Sequence, residues 1–274
     1  MKSASIASMN TITTRSSWLY SLLFICSLLF SADGLAQRDK NEKPAKPPIS
    51  EEEYNKLLLW LVSDKYENIL YKCIRYTEND KTKNEPIPYI RMAQAYLGIH
   101  QSDNNELRDK FEADKNKALK TSLKYASKFR KKDKELEYYH EFTEFFDELW
   151  SETMFVAETE MDNDKYTRAK SYYKSLCTIN PEDPGSTLML AAVYQHLKSR
   201  KEAETTYEKA RNLLLEFGDK VDNVQRDLLL FAIIYNIDFL ADFNRPAALE
   251  WLEFGSELFR GEREFEAVRR SIGG

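Results

Sequence analysis

The chain contains little glycine and little proline, with eight residues of each among 274. A collagen or another glycine-rich fibre is therefore excluded, because such chains need glycine at a high and regular frequency. The rest of the composition is rich in leucine, glutamate, lysine and alanine, whose side chains lose little freedom in a helix. We therefore expect a mainly helical protein.

An excess of basic residues is also absent, since 40 lysines and arginines stand against 45 aspartates and glutamates. Domains that bind nucleic acid are usually basic, so we expect no nucleic-acid partner. The aromatic fraction of 13% is too high for an intrinsically disordered chain, which lacks the residues that build a core. The length suits one large domain or a stack of smaller units.

Cysteine and histidine are scarce, with three residues of each. A zinc site needs several such ligands to converge, and the sequence has no His-x-x-His or Cys-x-x-Cys spacing. Glu137 and His140 form one Glu-x-x-His pair, whereas a helical di-iron site needs two. Glycine-rich phosphate loops and nucleophile–base pairs are absent as well. We therefore expect no metal, no cofactor and no enzymatic activity.

One stretch is strongly hydrophobic, the 13 residues from Trp18 to Phe30. A polar, basic segment precedes it and small residues, including Gly34 and Ala36, follow it, which is the pattern of a secretory signal peptide. The alternative is a membrane anchor, although a helix needs about 20 apolar residues to cross a bilayer. We expect residues 1–36 to be a signal peptide cleaved near Ala36, so that the mature protein is periplasmic or secreted and has no membrane span.

A pattern of small and aromatic residues recurs after about 34 positions in the second half of the chain. One unit carries Leu190, Ala191, Tyr194, Ala203, Tyr207 and Ala210. The unit before it carries Val156, Ala157, Ala169, Tyr173 and Leu176 in the same phase, and Pro181 follows. Small residues let two helices approach closely, large ones fill the space to the next unit, and a proline ends the second helix.

These residues resemble the tetratricopeptide repeat, a helix–turn–helix unit. The resemblance implies an all-α solenoid of helical hairpins over residues 50–260, with units near 50–85, 86–135, 150–183, 184–217 and 225–260. No glycine or proline occurs in residues 99–180, so we expect an inserted pair of long helices there, near 106–130 and 134–161. Residues 37–49 are expected to form a polar, proline-rich linker, and 261–274 a cap or tail. The alternative is another all-helical bundle.

Two cysteines remain after the signal peptide, Cys73 and Cys177, and they fall in units about three apart. Packed helices lie ~8–10 Å from each other, whereas a disulfide needs Cα atoms within ~7 Å. We therefore expect two free thiols.

The middle of the chain carries opposite charges in two consecutive segments. Residues 135–164 contain eleven acids and neither lysine nor arginine. Residues 115–134 are basic, and one helical stripe of them consists of Lys117, Lys120, Lys124, Lys128 and Lys131. This stripe is either a patch for an anionic partner or a solvated face whose field the acidic neighbour cancels.

The first helix of each hairpin lines a concave groove in tetratricopeptide proteins. By this resemblance the groove here would be lined by Ile90, Gln94, Leu97, Met154, Glu158, Leu188, Ala192, Gln195, Leu229, Ile233 and Asn236. Family members that bind chaperone tails hold a C-terminal carboxylate with lysine and asparagine, which are missing here. A mostly apolar groove suits an extended or helical peptide of a protein partner. Alternatively, some of these side chains pack under the long helices.

The signal peptide and the repeats together resemble exported periplasmic tetratricopeptide proteins of Gram-negative bacteria. The resemblance implies a non-catalytic scaffold for protein–protein interactions, an accessory subunit of a cell-envelope assembly such as a secretion or gliding machinery. Its partners would be subunits of envelope or outer-membrane complexes. The alternative is a soluble periplasmic protein that binds a peptide, or an oligosaccharide through Trp60, Trp150 and Trp251.

Overall fold

The computed structural model describes residues 49–111, 115–221 and 223–273, and their regular secondary structure consists of helices with no strand. The helices are α1 (Glu51–Val62), α2 (Tyr66–Glu78), α3 (Ile87–Gln101), α4 (Asn105–Lys110), α5 (Lys115–Lys132), α6 (Thr143–Asp162), α7 (Tyr166–Ile179), α8 (Pro184–His196), α9 (Arg200–Phe217), α10 (Asn223–Ala241), α11 (Arg245–Leu258) and α12 (Arg263–Gly273). A short 3₁₀-helix, Tyr139–Phe142, precedes α6. None of the described helices combines the length and the apolar character that crossing a membrane requires. The predicted signal peptide, and the predicted linker up to residue 48, lie outside the described residues.

Polar side chains determine where some of these helices begin. Ser50 Oγ accepts a hydrogen bond from the backbone N–H of Glu53 at 3.3 Å, and Asp183 Oδ1 accepts one from Gly185 at 2.9 Å. Both bonds satisfy amides that have no partner within the first helical turn. Pro184 directly follows Asp183, at a position where its missing N–H costs nothing.

Successive helices pair into five hairpins, namely α1 with α2, α3 with α5, α6 with α7, α8 with α9, and α10 with α11. The alanines of the predicted repeat, Ala157, Ala169, Ala191, Ala203 and Ala210, are at most 1% exposed, and Ala93, Ala232 and Ala248 of the other hairpins are fully buried. Small side chains at these positions allow the helix axes to approach closely. The prediction of an all-α solenoid of helical hairpins is confirmed.

The turns inside three hairpins share a residue in the left-handed region. Asp64, Asp164 and Lys198 have φ angles of 54°, 58° and 57°, and each lies two residues before the second helix begins. Aspartate enters this region more readily than most residues. In two of the turns the tyrosine that starts the second helix donates a hydrogen bond to this aspartate, Tyr66 to Asp64 at 2.7 Å and Tyr166 to Asp164 at 2.6 Å.

The two long helices in the middle of the chain, α5 and α6, have bounds that differ from the predicted 106–130 and 134–161. Helix α5 packs on α3 as the second helix of the second hairpin, whereas α6 is the first helix of the third hairpin. Between them Leu136 has a φ angle of 59°, and the Asp133 carboxylate accepts from the backbone N–H of Tyr138 at 3.2 Å. The chain therefore turns here without glycine or proline, and the long pair is divided between two hairpins.

Helix α8 lies in the interior of the described chain. Helices α7, α9 and α10 pack against it, and its residues from Pro184 to Val193 are all buried. Trp150 of α6 donates from Nε1 to the carboxylate of Asp183, just before α8, at 3.2 Å. Helix α6 also contacts α10, two hairpins further along the chain. A helix enclosed in this way is apolar on all sides, and these ten residues present no free face.

The C-terminal residues contain α12, in the segment expected to be a cap or tail. Its Phe265 is fully buried, and the ring lies against Gly255 of α11. Arg245 donates to the backbone carbonyl of Ile272 at 2.7 Å. Helix α12 therefore covers apolar surface that the last hairpin would otherwise expose, as the end of a solenoid requires.

Candidate functional site

The predicted groove residues divide into a buried and a partly exposed group. The buried ones, none more than 2% exposed, are Ile90, Leu97, Leu188, Ala192, Leu229, Ile233 and Asn236. The partly exposed ones are Gln94, Met154, Glu158 and Gln195. The buried group lies on α3, α8 and α10, so its side chains belong to the core and offer no surface to a partner in this structure. For the exposed group, a role in partner binding stays a prediction.

Two amides of the predicted groove make hydrogen bonds inside the protein. Asn236 Nδ2 donates to the carbonyl of Ala232 at 2.8 Å, and its Oδ1 accepts from Tyr207 Oη at 2.8 Å. Gln94 Oε1 accepts from Nη1 of Arg91 at 2.7 Å. A buried polar side chain is stable only when it is hydrogen-bonded, so the bonds of Asn236 give it a structural role.

The tryptophans considered for an oligosaccharide lie mostly in the core. Trp150 is 2% exposed and Trp251 is 1% exposed, whereas Trp60 is partly exposed. A sugar ring that stacks on tryptophan needs an accessible indole face. The expectation that Trp150 and Trp251 contact a sugar is therefore corrected, because both indoles fill space between helices.

Helix α5 exposes a row of lysines, one on each turn, and their ammonium groups lie over tyrosine rings. We call this surface the lysine–tyrosine stripe, and its members are Lys120, Lys124, Lys128, Lys132, Tyr89, Tyr125 and Tyr172. The distances from Nζ to the ring centres are between 5.1 and 5.9 Å. Cations are attracted to aromatic faces at such distances, so the rings hold the charges in a line.

The charge of this stripe is not neutralised by direct contact. Lys120, Lys124 and Lys128 form no ion pair with any carboxylate in the described part of the chain. Burial, together with the charges of Lys124 and Lys132, lowers the pKa of Lys128. The lysines therefore repel one another, and the acidic segment 135–164 supplies no ion pair to these three.

A second charged surface combines the turn of the third hairpin with the C-terminal parts of α6, α8 and α10. We call it the acidic–aromatic cluster, and its members are Glu158, Asp162, Asp164, Tyr166, Tyr173, His196, Tyr235 and Phe239. Only Glu158 of these belongs to the predicted groove. Two of the others, Tyr235 and Phe239, were signalled in the sequence by aromatic residues at every fourth position of α10, a spacing that places both on one face.

The aromatic part of the cluster is built around His196. Its ring is stacked between Tyr166, with ring centres 4.1 Å apart, and Phe239, with ring centres 4.3 Å apart. Its Nε2 lies 2.7 Å from Oη of Tyr235. Burial lowers the pKa of His196, so the imidazole is neutral at neutral pH and joins α7, α8 and α10 through stacking and one hydrogen bond.

Two carboxylates of the cluster lack partners. Glu158 and Asp162 are one turn apart on α6, and neither side chain makes a hydrogen bond or an ion pair with the described residues. Burial, and then the charge of Asp162, raise the pKa of Glu158 to about 7. Tyr173 is fully buried with no hydrogen-bond partner for Oη, and burial followed by the charges of Glu158, Tyr235 and Asp162 raises its pKa. The charges of α6 therefore act on a buried hydroxyl of the helix α7 that packs against it.

The N-terminal half of α6 shows the opposite situation. There the charge of Glu148 acts on the hydroxyl of Tyr66. Glu148 Oε1 accepts from Nε2 of Gln101 at 2.8 Å, and Glu152 Oε2 lies 3.3 Å from Nε2 of His100. Helix α6 thus has partnered carboxylates in its N-terminal half and unpartnered ones in the acidic–aromatic cluster.

The two cysteines of the described chain are free thiols, as predicted. Burial raises the pKa of Cys73 and of Cys177 to about 12 in each case, so both thiols are protonated and weak nucleophiles at neutral pH. No three histidine, cysteine, aspartate or glutamate side chains of residues 49–111, 115–221 and 223–273 are grouped so that they could hold a metal ion. The expected lack of metal, cofactor and enzymatic activity stays a prediction.

Comparisons with known proteins give little further information. No protein-family model matches the chain, and no curated protein matches it. Among solved structures, it is similar to the complex of the TPR2AB domain of yeast Sti1 with pHSP90, at 16% identity over 82% of this chain and 98% of that chain. The TM-score is 0.27, so this likeness carries no argument, and the helical-hairpin fold rests on the packing described above.

Proposed function

We propose that this protein is a non-catalytic scaffold that binds other proteins, and that it serves as an accessory subunit of a cell-envelope assembly such as a secretion or gliding machinery. The observation that carries the proposal is the lysine–tyrosine stripe, in which Lys120, Lys124 and Lys128 have no carboxylate partner. Like charges held side by side cost free energy, and acidic groups of a partner remove that cost.

The geometry of the stripe fits an acidic segment of a protein. Lysines one turn apart are spaced by about 6 Å along the axis of α5. Carboxylates at every fourth residue of a partner helix have the same spacing, so a row of acids can meet a row of lysines. The tyrosines between the lysines add the aromatic surface that is enriched at protein interfaces.

Export is part of this proposal and rests on the sequence. The hydrophobic run from Trp18 to Phe30 and the small residues before Gln37 support a cleaved signal peptide and a periplasmic or secreted mature protein. N-terminal sequencing of the protein recovered from the periplasmic fraction should begin at or near Gln37. Recovery of a chain that still contains Trp18 in the cytoplasm would contradict the export proposal.

Photo-crosslinking in the native cells tests the scaffold role. A photoreactive amino acid replaces Ser127, between the lysines of the stripe, and the matched control replaces Thr205, an exposed residue of α9. We expect position 127, and not position 205, to capture an envelope protein through a segment rich in aspartate and glutamate. Equal capture at both positions, or capture of a segment without acids, would contradict the proposal.

Charge reversal gives the second test on the same complex. Lys124→Glu combined with Lys128→Glu should lower capture by about tenfold or more, because two favourable charge pairs become repulsive. Lys201→Glu combined with Lys209→Glu makes the same change of net charge on exposed positions of α9 and should leave capture unchanged. Undiminished capture by the stripe variant would show that another surface holds the partner.

A further inference from the structure

Two carboxylates of the acidic–aromatic cluster lack the polar partners that other carboxylates of α6 have. The side chains of Glu158 and Asp162 form no hydrogen bond or ion pair with described residues. Earlier on the same helix, Glu148 accepts a hydrogen bond from Gln101, and Glu152 lies within hydrogen-bond distance of a buried histidine. Glu158 and Asp162 therefore remain available to a donor from outside the described chain.

The hydroxyl of Tyr173 is an independent indication. It is fully buried and has no hydrogen-bond partner, although buried hydroxyls nearly always have one. Glu158 and Asp162 lie on α6, which packs against the helix α7 that carries Tyr173, and their negative charges act on its hydroxyl. A bound donor, or a carboxylate that moves when a ligand binds, would supply the missing hydrogen bond.

Aromatic rings form the remaining wall and indicate the type of ligand. Tyr235 and Phe239 lie one turn apart on α10, and Phe243, 55% exposed, follows with its ring centre 5.0 Å from that of Phe239. Aromatic faces attract organic cations, whereas Ca²⁺ and Mg²⁺ require several converging oxygen ligands. No such group of ligands occurs in the described residues. Carboxylates next to aromatic rings, without a group of converging metal ligands, therefore favour an organic cation.

We propose that the acidic–aromatic cluster binds a cationic side chain, arginine or lysine, of a partner protein. A guanidinium suits it best, because its flat face stacks on aromatic rings while its N–H groups bond to carboxylates. This site shares no residue with the lysine–tyrosine stripe and has the opposite charge, so the inference does not depend on the acidic partner proposed above. Two such surfaces would let one chain join two chemically different segments.

Binding at this site depends on pH in a defined direction. The titratable side chains around Glu158 come from four helices and one turn. They are Asp162 on α6, Asp164 in the turn, Tyr166 and Tyr173 on α7, His196 on α8, and Tyr235 and Asp238 on α10. Lys165, in the same turn, is an exposed cation. The pKa of Glu158 is about 7, and burial lowers that of His196. Acidification neutralises the Glu158 carboxylate and then gives the His196 imidazole a positive charge. Both changes weaken the binding of a cation. Affinity should therefore rise between about pH 6 and about pH 8.

Nuclear magnetic resonance titration of the purified, isotope-labelled mature chain with N-acetyl-arginine amide tests the proposal. N-acetyl-citrulline amide, which has the same shape without the charge, is the ligand control. We expect saturable shifts of backbone signals around Glu158 and His196 with the arginine compound and none with citrulline. Glu158→Gln should weaken binding by about tenfold, the effect of losing one charged hydrogen-bonding partner.

The matched control variant is Glu148→Gln, which removes a carboxylate from the other half of α6 and should leave the arginine affinity unchanged. Asp162→Asn provides a second variant in the cluster if Glu158→Gln does not fold. Shifts of equal size with citrulline, unchanged affinity of both cluster variants, or the same shifts with Ca²⁺ alone would overturn the proposal. The scaffold role is tested by variants of α5, which leave this cluster intact, so either idea can fail without the other.

Discussion

Tyr66 and Gly98 fit together so closely that a side chain at position 98 would force the tyrosine ring to move. The tyrosine ring lies against the backbone of α3, and a Cβ atom at position 98 would overlap ring atoms. In the third hairpin Tyr166 starts the second helix in the same way, and its ring stacks on His196 of α8 with ring centres 4.1 Å apart. One local turn structure therefore supports two different contacts with the following hairpin.

Gly98→Ala should destabilise the protein by about 1–3 kcal/mol, the usual cost of inserting a methyl group into a packed site. The cost should exceed the gain of up to about 1 kcal/mol from replacing glycine by alanine inside a helix. Urea unfolding followed by circular dichroism measures the difference. Tyr66→Ala removes the ring, so adding Gly98→Ala to that variant should cost little or become favourable. An equal loss in both backgrounds would contradict the contact.

Tyr173→Phe and Tyr207→Phe should have opposite effects on stability. The hydroxyl of Tyr173 is buried without a partner, so its removal should raise the free energy of unfolding, or leave it unchanged. Tyr207 donates to the buried Asn236, so its removal leaves an amide oxygen unsatisfied and should cost about 1–2 kcal/mol. Thermal and urea unfolding of the two variants and the wild type, measured in parallel, gives both changes in the free energy of unfolding. Equal destabilisation by both would show that Tyr173 has a bond in the apo protein.

Glu158 should make the protein less stable as the pH rises. Its pKa is about 7 in the folded chain against an ordinary value of 4.5, so the folded state binds more protons than the unfolded state between these values. The unfolding free energy therefore falls as the pH rises through this window. Glu158→Gln removes this contribution, and its stability advantage over the wild type should grow by about 1–2 kcal/mol between pH 4.5 and pH 7, after allowance for partial exposure. Urea titrations at four pH values measure this difference, and a constant difference would contradict the raised pKa.

Cys73 should react with maleimide only after the protein opens. Its side chain is fully buried and its pKa is about 12, so the native state offers neither access nor thiolate at pH 7.5. Peptide mapping by mass spectrometry should show labelling at least about 100-fold slower in buffer than in denaturant. Fast labelling of Cys73 in the native protein would show that the first two hairpins open readily.

The hairpins were predictable because the close packing of their two helices depends on the size of side chains at positions that recur regularly in the sequence. Small residues such as Ala157 and Ala191 lie where helices touch, and an approach of two helices is possible only with small side chains there. The bounds of the long middle helices were less predictable. Leu136 enters the left-handed region without glycine, and the sequence carries no strong signal for such a turn.

The candidate sites were predicted in part. The lysines of α5 were visible as a stripe, but two of the tyrosines under them come from α3 and α7. Among the predicted groove residues, Glu158 contributes to a charged surface, whereas Leu188 and Ile233 are buried in the core. A repeat pattern predicts which side of its own hairpin a residue lies on. Whether that residue is buried depends also on the other hairpins that pack against that side.

The amino-acid sequence alone determined the helical fold, the hairpins outside the middle of the chain and the row of lysines, because these follow from side-chain size, rotamer freedom and spacing along one helix. The tertiary structure decided which of the predicted surfaces remain exposed. Helix α6 contacts α10 across two hairpins, and α8 is enclosed by α7, α9 and α10. Such contacts bring together residues such as Glu158 and Tyr235, which are far apart in the chain. Their pKa values are shifted by burial and by neighbouring charges only after the hairpins have packed together.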